Sequence, residues 1–141
     1  IQGARLFQRS SSAWDVFAAE VTLNHHERWD GTGYPGKIPD IVQYKTPEFG
    51  PGKARDEIPL SARIVSITDT FDALVSKRAY KDAWEEDAAF HFLKEQKGRF
   101  FDPELVDIFL CIEGTVQAIR DRYLDTYSAD VFEDHLRELE E

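Results

Sequence analysis

Apolar residues recur at helical spacing through most of the chain, and they divide it into segments. Trp14, Phe17, Ala18 and Val21 share one helical face, which His25 continues. The run is preceded by Ser12-Ala13-Trp14-Asp15, a serine followed three residues later by an acid, as in a capping box. Asp30-Gly31, Gly33 and Pro35 end it. From 36 to 57 no period holds, and Pro39, Pro47, Gly50, Pro51 and Gly52 mark a long loop, expected to act as a lid or partner surface. Pro59 opens a second helix through about Lys77, with Leu60, Ile64, Ile67, Phe71 and Leu74 as core stripe. Its flank reads Ala62, Val65, Asp69, Asp72, Ser76. A third helix spans Trp84 to Lys97 and stops at Gly98. Asp102-Pro103 starts a longer one whose apolar face is Leu105, Ile108, Phe109, Ile112, Val116 and Ile119, and Ser128 begins a last, acidic helix. No alternating strand pattern competes, so the expected fold class is all-α.

At 141 residues, 42% of them hydrophobic, the chain has room for one modest core. With 27 acids against 17 bases its formal charge is −10, which argues against a nucleic-acid polymer as ligand, because no surplus of cations exists to displace counterions. A small anion is not excluded, since bound metals and a few placed cations reverse the field locally. Cys111 is the only cysteine, no run of eighteen apolar residues occurs and no signal peptide opens the chain; a cytoplasmic location is expected. The sequence has no methionine and begins at Ile1, as a piece of a longer protein would.

Candidate chemistry concentrates in His25-His26-Glu27-Arg28-Trp29-Asp30-Gly31-Thr32-Gly33-Tyr34-Pro35. Two adjacent imidazoles leaving neighbouring faces of a helix end suit a transition metal, with hard acids nearby favouring iron or manganese. A buried, hydrogen-bonded His25 beside a surface His26 would read the same way. Asp69 on an apolar helix is costly to bury unless paired or metal-bound. It could equally face solvent or pair with Arg63 or Arg78. Asp72, one turn on, fits an orienting or capping role better than a ligand. Arg78 and Lys81, three apart past that helix, could hold a phosphate or simply offset the helix dipole. The Gly31–Pro35 turn offers amides for an anion and a ring for stacking on a base, although a tight turn needs the same glycines.

Taken in order, these elements resemble the HD-GYP family, a branch of the HD metal-dependent phosphohydrolases. HHERWDGTGYP at 25–35, IPLSARIVSITDTFDAL at 58–74, RAYK at 78–81 and FDPELV at 101–106 carry the resemblance, and GARL at 3–6 is similar to the start of the preceding helix. It implies the C-terminal portion of an HD-domain-like helical bundle over residues 1–126, with 127–141 as a separate acidic helix. It implies hydrolysis of cyclic di-GMP to pGpG and GMP at a di- or trinuclear iron or manganese centre. His25, His26 and Asp69 would be metal ligands; Tyr34, Gly33, Pro35, Arg78 and Lys81 would meet the substrate; Glu27, Asp30 and Asp72 would support them. Implied partners are diguanylate cyclase domains at the GYP loop and a sensor or receiver domain upstream. The alternative is a degenerate domain that binds nucleotide or protein without hydrolysis.

The chain departs from the family pattern in three places. None of its four histidines (25, 26, 91 and 135) is followed by aspartate, so the HD dyad is absent and the metal set is about half complete. RPYK reads RAYK, with Ala79 in place of a rigid proline, and the 36–57 loop is longer than usual. On this reading the isolated chain is inactive. Its helices also expose apolar stripes that expect further partners, making it marginal or oligomeric when alone.

Overall fold

The computed structural model describes residues 2–7, 12–38, 50–77 and 82–124. Among these the regular structure is helical: α1 (Gln2–Leu6), α2 (Ala13–Asn24), α3 (Leu60–Val75), α4 (Glu86–Glu95), α5 (Pro103–Cys111) and α6 (Glu113–Leu124), with one 3-10 turn at Arg55–Glu57. No described helix is long and apolar enough to cross a membrane. The chain separates into two compact units, 1–107 and 108–141, the division falling within α5. The acidic segment 127–141 lies outside the described residues.

In the first unit α2 packs against α1 and α3, and α3 against α4. Ser12 caps α2 as expected, its hydroxyl accepting a hydrogen bond from the Trp14 N–H at 3.2 Å rather than from the Asp15 N–H that a capping box would use. The expected inward stripe of α2 fails at its start, while Ala18, Val21 and His25 are half-buried. Trp14 is 82% and Phe17 50% exposed, and the buried residue of the helix is Asn24. Its amide donates to the Glu20 carbonyl at 2.7 Å and accepts from the Lys53 ammonium at 2.5 Å. A buried polar group with both functions used costs little, whereas no described element covers the tryptophan side of the helix.

On α3 the stripe holds only in its second half. Ile67, Phe71 and Leu74 are buried, joined by Ala62 and Val75, while Leu60 and Ile64 stand about half exposed. Phe71 meets Phe90 of α4 with ring centroids 4.7 Å apart, and Ala89 and Leu93 complete that contact layer without exposure. α4 is shorter than the 84–97 expected. After Glu95 the chain folds into a tight turn in which the N–H groups of Arg99, Phe100 and Phe101 all donate to the Gln96 carbonyl, and Gly98 adopts φ +74°.

Asp102 caps α5, accepting the Glu104 N–H at 3.0 Å. Its other oxygen takes the Arg63 guanidinium at 2.6 Å, tying α3 to the start of α5. Asp102 is buried and Arg63 nearly so. The single helix expected beyond 103 is two helices. They break at Ile112, whose N–H reaches back only three residues to Phe109, with the weak helix former Gly114 just beyond. Of the expected apolar face, Phe109 is buried and Leu105 and Val116 are half-buried, while Ile108, Ile112 and Ile119 are exposed; Val106, outside that face, is buried.

Candidate active site

The end of α2 delivers His25 and His26 side by side, with ring centroids 4.0 Å apart. His25 is oriented by the helix itself, since its Nδ1 lies 2.9 Å from the Val21 carbonyl. Donation from Nδ1 leaves Nε2 as the free lone pair, an arrangement common in metal-ligating imidazoles. The ring of His26 stacks on that of Tyr34 at 4.8 Å and 24°. The Tyr34 N–H donates to the His26 carbonyl at 3.2 Å, closing the turn that holds the stack, and the Tyr34–Pro35 peptide is cis.

Glycine makes this turn possible. A β-carbon on Gly33 would overlap the backbone of Glu27 and Arg28, so the two strands of the loop touch main chain to main chain. Glu27 fastens the outer side of the loop. Its buried carboxylate accepts the Gly36 N–H at 2.5 Å with one oxygen and the Lys53 N–H at 3.2 Å with the other. Sequence reasoning expected Glu27 to hold the histidines and the turn; its hydrogen bonds go to loop amides on both sides of the 39–49 segment. Asp30 accepts from the Thr32 N–H and hydroxyl at 2.9 and 2.6 Å. Burial alone would push Asp30 up, but these bonds and the nearby Arg28 and Arg99 hold its carboxyl below the usual range. Further bonds join the Trp29 and Asp30 N–H groups to the carbonyls of Phe100 and Arg99, setting the 96–101 turn beside the histidine loop.

These elements enclose a cleft of about 310 Å³, at the low end of the roughly 300–1,000 Å³ of small-molecule sites. His25, His26, Tyr34 and Asp69 all line it. Asp69 is exposed on α3 rather than paired with Arg63, whose guanidinium is taken by Asp102 and Asp56. Asp72 accepts the Ser76 hydroxyl at 3.2 Å and does not line the cleft, a local capping contact. Gly33 and Pro35 shape the turn, and Arg78 and Lys81 lie outside the described residues. Ser66, Thr70, Arg28, Phe92, Phe100 and Phe101 also face the cleft and were not singled out from sequence. Ser66, Asp69 and Thr70 fall at helical i, i+3, i+4 spacing, a signal that marks the first and last of these once Asp69 is suspected. The Phe100–Phe101 pair carries no such signal, because only the folded turn brings it to the loop.

The donors are of the right kind for a metal: a backbone-oriented imidazole, a second imidazole and a carboxylate around one cleft. They are too few. Among the described residues no group of three or more His, Cys, Asp or Glu side chains is placed to hold an ion. His25, His26 and Asp69 line the cleft without forming such a group.

His26 is held below the ordinary imidazole range, by burial first and by the neighbouring His25, with Asp69 acting in the opposite sense. Neutral imidazole is the form that binds metal. Because the folded form sheds this proton more easily than the unfolded one, stability from this group rises with pH across the window between the two midpoints and is lost below it. In an NMR titration of metal-free protein, the His26 ring should titrate below a model histidine. Asp69→Asn should lower the midpoint further; a rise would show that Asp69 does not act on this ring.

Comparison with known proteins agrees with this architecture. Residues 47–105 match the HD domain family, a segment that includes α3, α4 and the start of α5. The chain is 43% identical over 108 residues to the cyclic di-GMP phosphodiesterase response regulator RpfG of Xanthomonas campestris, covering 77% of this chain and 25% of that protein. It is 37% identical over 123 residues to a cyclic di-GMP phosphodiesterase of Thermotoga maritima, covering 87% and 29%. With a 3'3'-cGAMP-specific phosphodiesterase of Vibrio cholerae it shares 39% over 108 residues, covering 77% and 18%. The chain belongs to the HD-GYP family. In this HD-GYP domain segment the histidine pair, the GYP turn and Asp69 meet at one cleft, although they are separated by up to 44 positions in sequence. The chain spans 18–29% of the length of these curated relatives.

Proposed function

We propose that this chain supplies one wall of the active site of a metal-dependent phosphodiesterase acting on cyclic di-GMP, yielding pGpG and GMP in bacterial second-messenger signalling. The observation that carries the reading is the shared cleft of His25, His26, Tyr34 and Asp69. The names of its relatives support the substrate class, and two of the compared relatives are called cyclic di-GMP phosphodiesterases. His25, His26 and Asp69 would hold part of a di- or trinuclear centre, iron or manganese by the mixture of nitrogen and oxygen donors. Such a centre, when bound, supplies an activated water and charge neutralisation at the phosphate. The residues of this chain orient it: the Val21 carbonyl fixes the tautomer of His25, the Tyr34 ring limits rotation of His26, and Glu27 holds the loop that presents Tyr34. Arg78 and Lys81 would add cations for the phosphates, Tyr34 with Gly33 and Pro35 the loop against which the substrate lies. A cytoplasmic location, a sensor or receiver domain and contact of the GYP loop with diguanylate cyclases belong to the same reading.

The test is metal content and cyclic di-GMP turnover of the intact protein, wild type against His26→Ala. Removing a direct ligand should lower both by at least the roughly 10–100-fold seen for losing a ligand's supporting partner. Metal content and turnover unchanged by His26→Ala would end the proposal. The 3'3'-cGAMP-specific relative motivates a parallel assay with that dinucleotide. Tight nucleotide binding without turnover in metal-loaded protein would favour the degenerate, binding-only alternative.

A further inference from the structure

Arg28 sits in the same cleft but has no part in the metal chemistry. Its side chain is exposed, and its guanidinium carbon lies 4.0 Å from the centre of the Phe100 ring. Among the described residues it makes no ion pair and no side-chain hydrogen bond. Both Arg28 and Phe100 line the cleft together with His26, Tyr34 and Asp69. A stacked pair, His26 on Tyr34, and a cation over a ring, Arg28 at Phe100, therefore border one cavity; Arg99 also lies over the Phe100 ring, 5.1 Å from its centre, but does not line the cleft. The first belongs to the histidine end. The second needs a different occupant.

A guanidinium held over an aromatic ring leaves N–H donors at its edge for other acceptors. Two parallel donors of that kind match the O6 and N7 acceptors of guanine; adenine offers a donor where guanine has O6. Phe92 and Phe101, which also face the cleft, give apolar surface on which a base can lie. In a chain of formal charge −10 this cation lines the cavity, with Asp30 near enough to feel its charge but, among the described residues, no carboxylate ion-paired to it.

We infer that Arg28, held over the Phe100 ring, is a base-recognising residue that selects guanine over adenine in the nucleotide occupying this cleft. The inference rests on the phosphodiesterase reading for the identity of the dinucleotide, but the recognition itself requires only a purine nucleotide. Its backing is built into the loop: Gly33 closes against the Arg28 backbone, and the Trp29 N–H donates to the Phe100 carbonyl at 3.0 Å, so both members of the pair are held by main-chain contacts.

The experiment measures, on intact protein, equilibrium binding of cyclic di-GMP, cyclic di-AMP, GMP and AMP, and hydrolysis of the dinucleotides and of base-free bis(p-nitrophenyl) phosphate. The variants are Arg28→Lys, which keeps the charge and loses the fork, and Arg28→Gln, whose amide pairs with adenine instead. Both should lower the preference for guanine about 10- to 100-fold, the worth of one bidentate contact, with Arg28→Gln gaining relative affinity for adenine. Hydrolysis of bis(p-nitrophenyl) phosphate should stay at the wild-type rate, which also reports an intact fold. An equal loss on all substrates, base-free diester included, would make Arg28 a phosphate or structural contact and overturn the assignment, as would an unchanged preference. Wild-type protein that prefers GMP through Arg28 yet cleaves no cyclic dinucleotide would remove the phosphodiesterase reading and leave the subsite standing. Absence of any purine preference would sink the subsite alone if turnover persists.

Discussion

Asp102→Ala should destabilise the protein by about 3–5 kcal/mol, the cost of leaving a buried charge without its partner. Asp102 is 5% exposed and holds Arg63 at 2.6 Å, while the remaining partner of that guanidinium, Asp56, is 3.3 Å away and almost wholly in solvent. The Arg63 Nε is already buried without a hydrogen bond, so the side chain has little in reserve. The same substitution removes the acceptor for the Glu104 N–H at the start of α5, worth about 1 kcal/mol more. Asp102→Asn keeps the cap and should cost less. The measurement is denaturant unfolding, extended to a cycle with Arg63→Met. If the pair is what matters, the double variant is more stable than Asp102→Ala alone. Additive losses would show that Arg63 tolerates solitude and that the helix cap dominates.

Gly33→Ala should have the second-largest effect on stability and a larger one on the site. The added methyl would overlap main-chain atoms of Glu27 and Arg28, which cannot swing away as a side-chain tip would. Overpacking of this kind costs about 1–3 kcal/mol, and here the strain falls on the segment between His26 and Tyr34. Tyr34 should lose its place on the His26 ring, so nucleotide binding should fall more than thermal stability does. Gly114→Ala makes the control, because a β-carbon there meets nothing within 4 Å. Equal behaviour of the two variants would mean that the tight contact at Gly33 is unimportant.

Much of the helical layout was legible in the sequence because it depends on local chemistry. Ser12, Pro59 and Asp102 mark helix starts by capping or by fixed backbone geometry, and the starts of α2, α3 and α5 follow them. Burial was less legible. Trp14, Phe17, Leu60 and Ile64 keep the period of a core stripe, but periodicity states only that a face is apolar, not that a described neighbour covers it. The break at Ile112 is hidden for a related reason: the apolar spacing runs on through it, and a lone glycine is compatible with a continuing helical pattern.

At the cleft, the histidine pair, Tyr34 and Asp69 stand out by residue type. Arg28, Phe100 and Phe101 do not, since ordinary surface positions hold the same residues and only the folded 96–101 turn brings them together. Glu27 lies in the neighbourhood its residue type suggests, but its partners, Gly36 and the distant Lys53, are set by the fold of the loop.

Those two partners have an architectural consequence. The Lys37 N–H donates to the Pro51 carbonyl and the Gly50 N–H to the Pro35 carbonyl, so residues 35–37 and 50–51 are already laced together where 39–49 departs and returns. Such a clasp turns the interval into a splice point, where extra chain adds only a slowly growing closure entropy. Homologues with inserts of very different size here, or a reporter peptide grafted in by design, should leave the histidine side undisturbed.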